Sequence, residues 1–537
     1  MPQPAPHDLL QSALTHHRAG RLRPAEEVYR QILKDDPDHP EALHGVGLLA
    51  MQSSRPDLAA AYLARAAMLA PNVAVYHHNL GEAWMLAGDL NQAVACLRRA
   101  AALDPSRHES HAVLGVALAH LQRFNDAADS LDRAVRQGAD QPEIHQHLAN
   151  ALLQLNRFPE AETHARRATD RAPASAESWQ TLGEAIGHQN RPDDAIACFQ
   201  KAAALKPDFA LPHFSTGRAF ADRGRPDEAI ASFREALRLR PDFPEAMSHL
   251  GSVLLQRNPD EGIDVLRKAV QLRPTHVDTH VELARGLELV RRYDQAADVF
   301  ETILKLLPDN PNVKFHVAAL RGKGAPSAPP PELVAALFNR HADTFDHHLT
   351  ENLHYRAPQL LHEAVRSALP PTASNLDVMD LGCGTGLCAP LFRPLAKSLT
   401  GIDLSHAMVA KARDRNLYDR LEVADAVAAL RAAPCAYDLI VAGDVLCYIG
   451  DLTDVFRAAA SALRPAGLFA FSVELDNSPP ASTPGYRLHP TRRYSHADPY
   501  LRQSATAAGF QIQTFQPKVL RREGDKEVTG LIAVLTK

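Results

Sequence analysis

Long apolar runs are missing from this 537-residue chain: no stretch of about 18 uncharged apolar residues occurs. No membrane-spanning helix is therefore expected. The first residues, Met1-Pro2-Gln3-Pro4-Ala5-Pro6, lack a basic start followed by an apolar core, so no secretory leader is expected. Cysteine is scarce, at 6, and no C-x-x-C pair is present. Cys383 and Cys388 have four residues between them, which fits no common zinc spacing, so no metal site is assigned. A disulfide scaffold is excluded, and a reducing, cytoplasmic setting is expected. Charge of one sign is also lacking. The net charge is −5, which disfavours a phosphate-tracking nucleic-acid binder. Aromatic residues make up only 6% of the chain, whereas histidine is abundant, at 27.

What the chain does have is a period. Prolines recur at Pro37, Pro71, Pro105, Pro173, Pro207, Pro241, Pro274 and Pro308, at a spacing of 34 with one skipped position and one gap of 33. Small residues fall in step with them. One column holds Gly47, Gly81, Gly115, Ala149, Gly183 and Gly217; another runs from Ala25 and Ala59 to Ala229; a third runs from Ala66 and Ala100 to Ala269. Each unit reads as two amphipathic helices ended by the next proline, which cannot continue a helix. A single unit cannot bury its apolar face, so neighbours must stack into a solenoid. Five histidines, His77, His111, His145, His213 and His280, share a column with Trp179 and Met247. Shared occupancy of that kind marks packing, not metal ligation, and His276 with His280 lacks a third ligand.

The 34-residue pattern resembles the tetratricopeptide repeat over about Pro6 to Pro308, as nine units, with a capping helix expected near 312–320. The resemblance implies a right-handed superhelical array whose concave surface takes a protein or peptide partner. The plainer alternative is a spacer or dimerisation element. Residues 321–331, RGKGAPSAPPP, read as a linker, which gives a solenoid over 1–320 and a second domain over 332–537.

Beyond the linker, strand and helix signals alternate. Strands are expected at 376–381, 398–403, 421–423, 437–442, 467–473, 511–515 and 531–535. Helices are expected at 332–341, 355–368, 386–396, 405–415, 451–463 and 497–508. Such alternation argues for a doubly wound, mostly parallel sheet of seven strands. At the end of the first strand stands Asp380-Leu381-Gly382-Cys383-Gly384-Thr385-Gly386. Glycines there permit a tight turn and close approach to a ligand. The spacing is one residue shorter than the dinucleotide fingerprint. Asp403, ending the second strand, is placed to accept from ribose hydroxyls, and Asp425, after the third, from an adenine amino group.

Together these motifs resemble the class I S-adenosylmethionine-dependent methyltransferases, from about Leu376 to Lys537. The chain as a whole is similar to bacterial proteins described as repeat-containing predicted methyltransferases. The resemblance implies a Rossmann-like fold, S-adenosylmethionine as cofactor, and a donor site built from Asp380, Gly382, Cys383, Gly384, Gly386, Asp403, Leu404, Met408, Asp425, Ala426 and Asp444. It also matches Ala442 to Ile449 to a substrate-facing motif, which makes Asp444 and Tyr448 the catalytic candidates. Direct methyl transfer needs alignment more than acid–base help, and His347 and His348 are alternative bases. The long loop Asn477 to Asp498 carries Arg487, His489, Arg492 and Arg493, expected to border the acceptor. Two rival functions stay open: an interaction scaffold with a weak or inactive methyltransferase fold, and a nicotinamide-dependent oxidoreductase.

Overall fold

The computed structural model describes residues 6–476, 485–524 and 526–537. It divides into two compact units, one ending at Leu272 and one running from Arg273 to Lys537. Among the described residues, no helix is long and apolar enough to cross a membrane.

The first unit is a run of eight helix pairs, from Pro6–Arg18 with Leu22–Asp35 to Pro244–Leu254 with Pro259–Leu272. The ninth pair, Val277–Leu289 with Tyr293–Leu306, and the closing helix Pro311–Arg321 belong to the second unit. The reason for the glycine column is steric. A β-carbon on Gly115 would stand 2.5 Å from Leu131 Cγ, one on Gly183 2.4 Å from Phe199, and one on Gly217 2.7 Å from Phe233. In the second, third, fourth, sixth, seventh and eighth pairs the first helix thus lacks a side chain where the second presents a large one. The fifth pair carries Ala149 in that column, and the facing position is Ala165; both are fully buried. The added methyl is matched by a reduced partner, as close-packed interiors require.

The histidine column has a polar reason as well. His77, His111 and His280 bond through Nε2 to the carbonyls of Pro71, Pro105 and Pro274, at 3.0, 3.3 and 2.9 Å. Trp179 Nε1 donates to the Pro173 carbonyl at 2.9 Å. In these four units the column ties the opening of the first helix to the proline that ended the previous unit. In the fifth unit no proline precedes, and His145 meets Asp140 and His164 instead. Other histidines link successive first helices: His44 to Asn79 at 2.6 Å, and His78 to Ser110 at 3.1 Å. Burial lowers the pKa values of His44, His78 and His164 to about 4.

Among the described residues of the second unit, nine strands form one sheet: β1 Leu376–Leu381, β2 Ala396–Asp403, β3 Arg420–Val423, β4 Tyr437–Ala442, β5 Leu463–Leu475, β6 Tyr486–Leu488, β7 Tyr494–His496, β8 Gln511–Glu523 and β9 Lys526–Thr536. The order is β3-β2-β1-β4-β5, parallel throughout. β9 joins β5 antiparallel and carries β8, while β7 joins the end of β5 in parallel and carries β6. Both faces are buried, so the strands read as apolar runs whose alternate residues face opposite cores. Met379, Ile440, Phe469 and Ala533 enter one core; Val378, Leu439, Leu468 and Ile532 enter the other.

Four details differ from the sequence expectation. β6 and β7 are additional strands inside the expected loop; three residues each leave no periodic signal. Of that loop, residues 477–484 lie outside the described residues. The helix expected at 386–396 shrinks to Ala389–Phe392 plus a turn at Arg393–Leu395, because Pro394 removes a backbone donor. A short helix at Ala426–Ala432, capped by Asp425, was absent from the expectation. The segment expected as a linker is extended but docked: the amides of Gly450 and Asp451 donate to Ser327 O at 2.7 and 3.0 Å, and Tyr494 Oη donates to Pro326 O at 2.8 Å.

Two outcomes follow from the packing of the pairs. Gly115→Ala is expected to destabilise the chain by about 1–3 kcal/mol through overpacking. Combined with Leu131→Ala it should cost less than the sum of the single changes, reproducing the Ala149–Ala165 pair; additive denaturation energies would contradict this. The second outcome concerns pH. A histidine in the unfolded chain titrates near about 6.5. Above that pH both states are neutral and stability is complete. Between 6.5 and about 4, the unfolded chain binds protons that folded His44, His78 and His164 refuse, so stability falls. Thermal melts should show that decline, and a His44→Gln, His78→Gln double variant should flatten it.

Candidate functional site

The carboxyl ends of the parallel strands open into a cavity of about 270 Å³. Its floor is the turn after β1. Gly382 and Gly384 both take positive φ, at 66° and 53°. A β-carbon on Gly382 would meet Val445 at 2.3 Å, whereas one on Gly384 would enter the cavity with only Phe345 nearby, at 3.9 Å. The turn is held by Asp403. Its carboxylate accepts from the Gly384 amide at 2.9 Å and from the Ser405 amide at 2.8 Å. Burial raises the pKa of Asp403, and these amides oppose the rise. One side chain therefore fixes the loops after both β1 and β2 and still lines the cavity.

Helices outside the sheet close the front. Asn339, on the helix Pro331–His341, accepts from Ser405 Oγ at 2.7 Å and from the Ala407 amide at 3.2 Å. Asp346 accepts from Thr385 Oγ1 and from Arg415, whose Nε in turn donates to Thr385 O at 2.6 Å. Phe338 meets Phe345 and Tyr448 edge-on, with ring centroids 5.8 and 5.3 Å apart. Ala328, Pro329 and Pro331 also line the cavity, so part of the expected linker belongs to the site.

At the far wall, Asp444 takes the left-handed conformation, with φ 60°, and its amide donates to Ser472 Oγ at 2.8 Å. Its carboxylate accepts from Arg493 Nη2 at 2.7 Å. Arg493 also donates to Tyr448 Oη at 2.9 Å and to Glu474 at 2.5 Å. Arg521 donates to Glu474 at 2.7 Å and to Glu523 at 2.8 Å. Burial alone would raise the Asp444 pKa, but the Arg493 and Arg521 guanidiniums outweigh it and hold the carboxyl below its ordinary range. Burial pushes the Tyr448 phenol well up. Asp444 is thus an ionised, paired acid, and Tyr448 a neutral phenol whose proton is free to be donated.

Among the donor-site candidates, Gly382, Cys383, Gly384, Asp403, Leu404, Asp425, Ala426 and Asp444 line the cavity. Asp380 lies beneath the turn, where it accepts from Tyr418 Oη at 2.6 Å and burial raises its pKa to about 7. Gly386 turns toward Arg415 and Tyr418, and Met408 is wholly buried; neither lines the cavity. Asp425 caps its helix by accepting from the Ala428 amide at 2.9 Å. Of the acceptor-site candidates only Arg493 reaches the cavity. Arg487 lies 3.6 Å from Asp476 at the surface, and His489 bonds Ser495 Oγ at 2.7 Å. Arg492 points the other way, into the ninth helix pair. It donates to both oxygens of Glu288, at 2.8 and 2.6 Å, and to His316 Nδ1 at 2.8 Å. His347 and His348 are not cavity residues. His276 Nδ1 is hydrogen-bonded to Thr279 Oγ1 at 2.8 Å, and His280 Nε2 to the Pro274 carbonyl at 2.9 Å. The cavity residues Tyr355, Leu349 and Pro358 carry no motif, and only their apolar character marked them as buried.

Residues 349–514 fit a family model described as a methyltransferase domain. Residues 214–277 fit a tetratricopeptide repeat model, and residues 5–214 fit one described as the C-terminal domain of cilia and flagella-associated protein 70. A probable S-adenosylmethionine-dependent methyltransferase of Mycolicibacterium smegmatis is 30% identical over 155 residues, 28% of this chain and 58% of that protein. A malonyl-(acyl-carrier protein) O-methyltransferase of Salmonella typhimurium is 28% identical over 174 residues, 32% of this chain and 65% of that protein. The chain therefore spans less than two thirds of the length of these curated relatives. Among solved structures, a thermophilic tetratricopeptide repeat protein of Thermus thermophilus is 26% identical, with a TM-score of 0.30, over 34% of this chain and 98% of that one.

The Arg492 contacts make a direct prediction. Arg492→Ala leaves the half-buried Glu288 without its cation, and should cost about 1–3 kcal/mol in chemical denaturation. Hydrogen exchange over 486–496 should quicken. Unchanged exchange there would contradict a structural role for this pair.

Proposed function

We propose that this chain, a tetratricopeptide-repeat protein carrying a methyltransferase domain, transfers the methyl group of S-adenosylmethionine to an acceptor recruited through the repeats. The observation that carries the reading is Asp403, which lines the cavity while its carboxylate is held by amides from both the glycine turn and the next loop. We assign the domains as repeats over 1–320, a connecting segment over 321–331 and a transferase domain over 332–537, working in the cytoplasm with a protein or peptide partner.

Gly382, Cys383 and Gly384 would cradle the donor, Asp403 and Leu404 its ribose, and Asp425 and Ala426 its adenine. When bound, the donor supplies an electrophilic methyl group on a sulfonium. The residues of the chain then have three tasks. The aromatic wall of Phe338, Phe345 and Tyr448 excludes water from the apolar half of the cavity. Tyr448, held by Arg493, orients the acceptor by donating its phenolic proton. Asp444, already bound by Arg493, acts through charge and position and not as a free base. Acceptors that need no proton removed before attack suit such a cavity.

Calorimetric titration of the full chain with S-adenosylmethionine tests the reading. Saturable binding is expected, and Asp403→Ala should weaken it at least about tenfold, the effect of losing a hydrogen bond to a charged group. Binding of a nicotinamide dinucleotide in its place, or no heat with S-adenosylmethionine, would contradict it.

A further inference from the structure

A second cavity, of about 480 Å³, lies in the first compact unit along the first helices of the fourth to seventh pairs. The charged side chains lining it are Glu177, which Lys206 pairs at 2.8 Å, and Glu184. The first helices of the second to sixth pairs contain Glu41, Glu82, Glu109, Glu143, Glu177 and Glu184, and no lysine or arginine. Their partner helices carry the cations, among them Arg65, Arg98, Arg133, Arg166 and Lys201. His147, which also lines the groove, is kept from protonation by burial.

An independent feature sits at the centre of the groove. Gln180 is 4% exposed. Its Nε2 donates to Glu184 Oε1 at 2.9 Å and to Ser215 Oγ at 2.8 Å. A carboxylate can only accept, so the Glu184 bond fixes which end of the amide is nitrogen. The amide oxygen is then left buried without a donor. Its neighbours are already joined: Thr181 Oγ1 donates to Asn150 at 3.1 Å and Ser178 Oγ to Gln146 at 3.3 Å. A buried acceptor beside a carboxylate calls for a ligand rich in N–H donors and positively charged.

Resting on the reading that the repeats recruit a partner, we propose that this groove binds an extended, arginine- or lysine-bearing polypeptide segment, with one cationic head group donating to Gln180 Oε1 and Glu184 together. Glu177, the other carboxylate lining the groove, adds to the attraction for such a segment, in part offset by its pairing with Lys206.

Fluorescence anisotropy of the full chain with a labelled peptide of alternating arginine and serine tests this. A peptide of equal length with glutamate in place of arginine serves as the opposite charge. Saturable binding of the arginine peptide alone is expected. Glu184→Gln, isosteric and partly exposed, should weaken it about tenfold, as for loss of a charge-assisted hydrogen bond. Glu160→Gln, on an exposed second-helix face, should leave it unchanged, with both melting midpoints checked. Failure to bind the arginine peptide, equal binding of both peptides, or equal loss in both variants would overturn the proposal. Titration of the same samples with S-adenosylmethionine reports on the Asp403 site of the second unit, so failure of the donor reading shows separately.

Discussion

Two consecutive arginines at the start of β7 face in opposite directions, and the second unit is organised around that fact. Arg492 reaches Glu288 and His316 in the last helices of the repeat pattern. Arg493 reaches Asp444, Tyr448 and Glu474 at the wall of the cavity. A positive φ of 64° at Arg492 turns the backbone between them. Leu488 and Tyr494 of the same hairpin pack on Phe315 and Ala318 of the closing helix. The hairpin is thus a clamp, with one end on helical repeats and the other on the site. An ion pair taken out of water needs every partner in place, because removing one leaves an uncompensated charge. That requirement couples the ninth pair to the cavity wall.

The repeats themselves rest on a simpler constraint, that of volume. Six first helices give up a β-carbon where the partner presents Leu or Phe, and in the fifth pair alanine faces alanine. The polar residues then have to be satisfied within narrow space. Histidine does this by bonding proline carbonyls and neighbouring side chains, as His77, His111 and His280 do.

How much of this was legible in the sequence depended on period. The nine pairs and the parallel strands were legible because a 34-residue repeat and apolar runs bounded by glycine express long-range packing locally. The glycine turn and Asp403 were legible because that geometry demands those residue types. Arg493 was identified only as one of four basic candidates, since nothing local distinguishes it from Arg492; the turn between them does. The docking of residues 326–331 was hidden because an extended proline-rich stretch has the same composition whether it is free or packed. β6 and β7, with three residues each, are defined by pairing and not by pattern. Asp380 and Met408, matched by resemblance to donor contact, turned out to lie behind the cavity, a distinction of depth that motif spacing does not carry.

The central claim is that the site is completed from outside the strand-and-helix core: Ala328, Pro329 and Pro331 of the docked segment line the cavity, and the ninth pair and the closing helix hold the hairpin that carries Arg493. It is tested most directly by measuring the affinity for S-adenosylmethionine of two fragments, one beginning at Arg273 and one at Glu332. The account predicts that the longer fragment binds as the full chain does and that the shorter one, lacking Glu288, His316 and residues 326–331, binds more weakly. Equal affinity of the two fragments would contradict it.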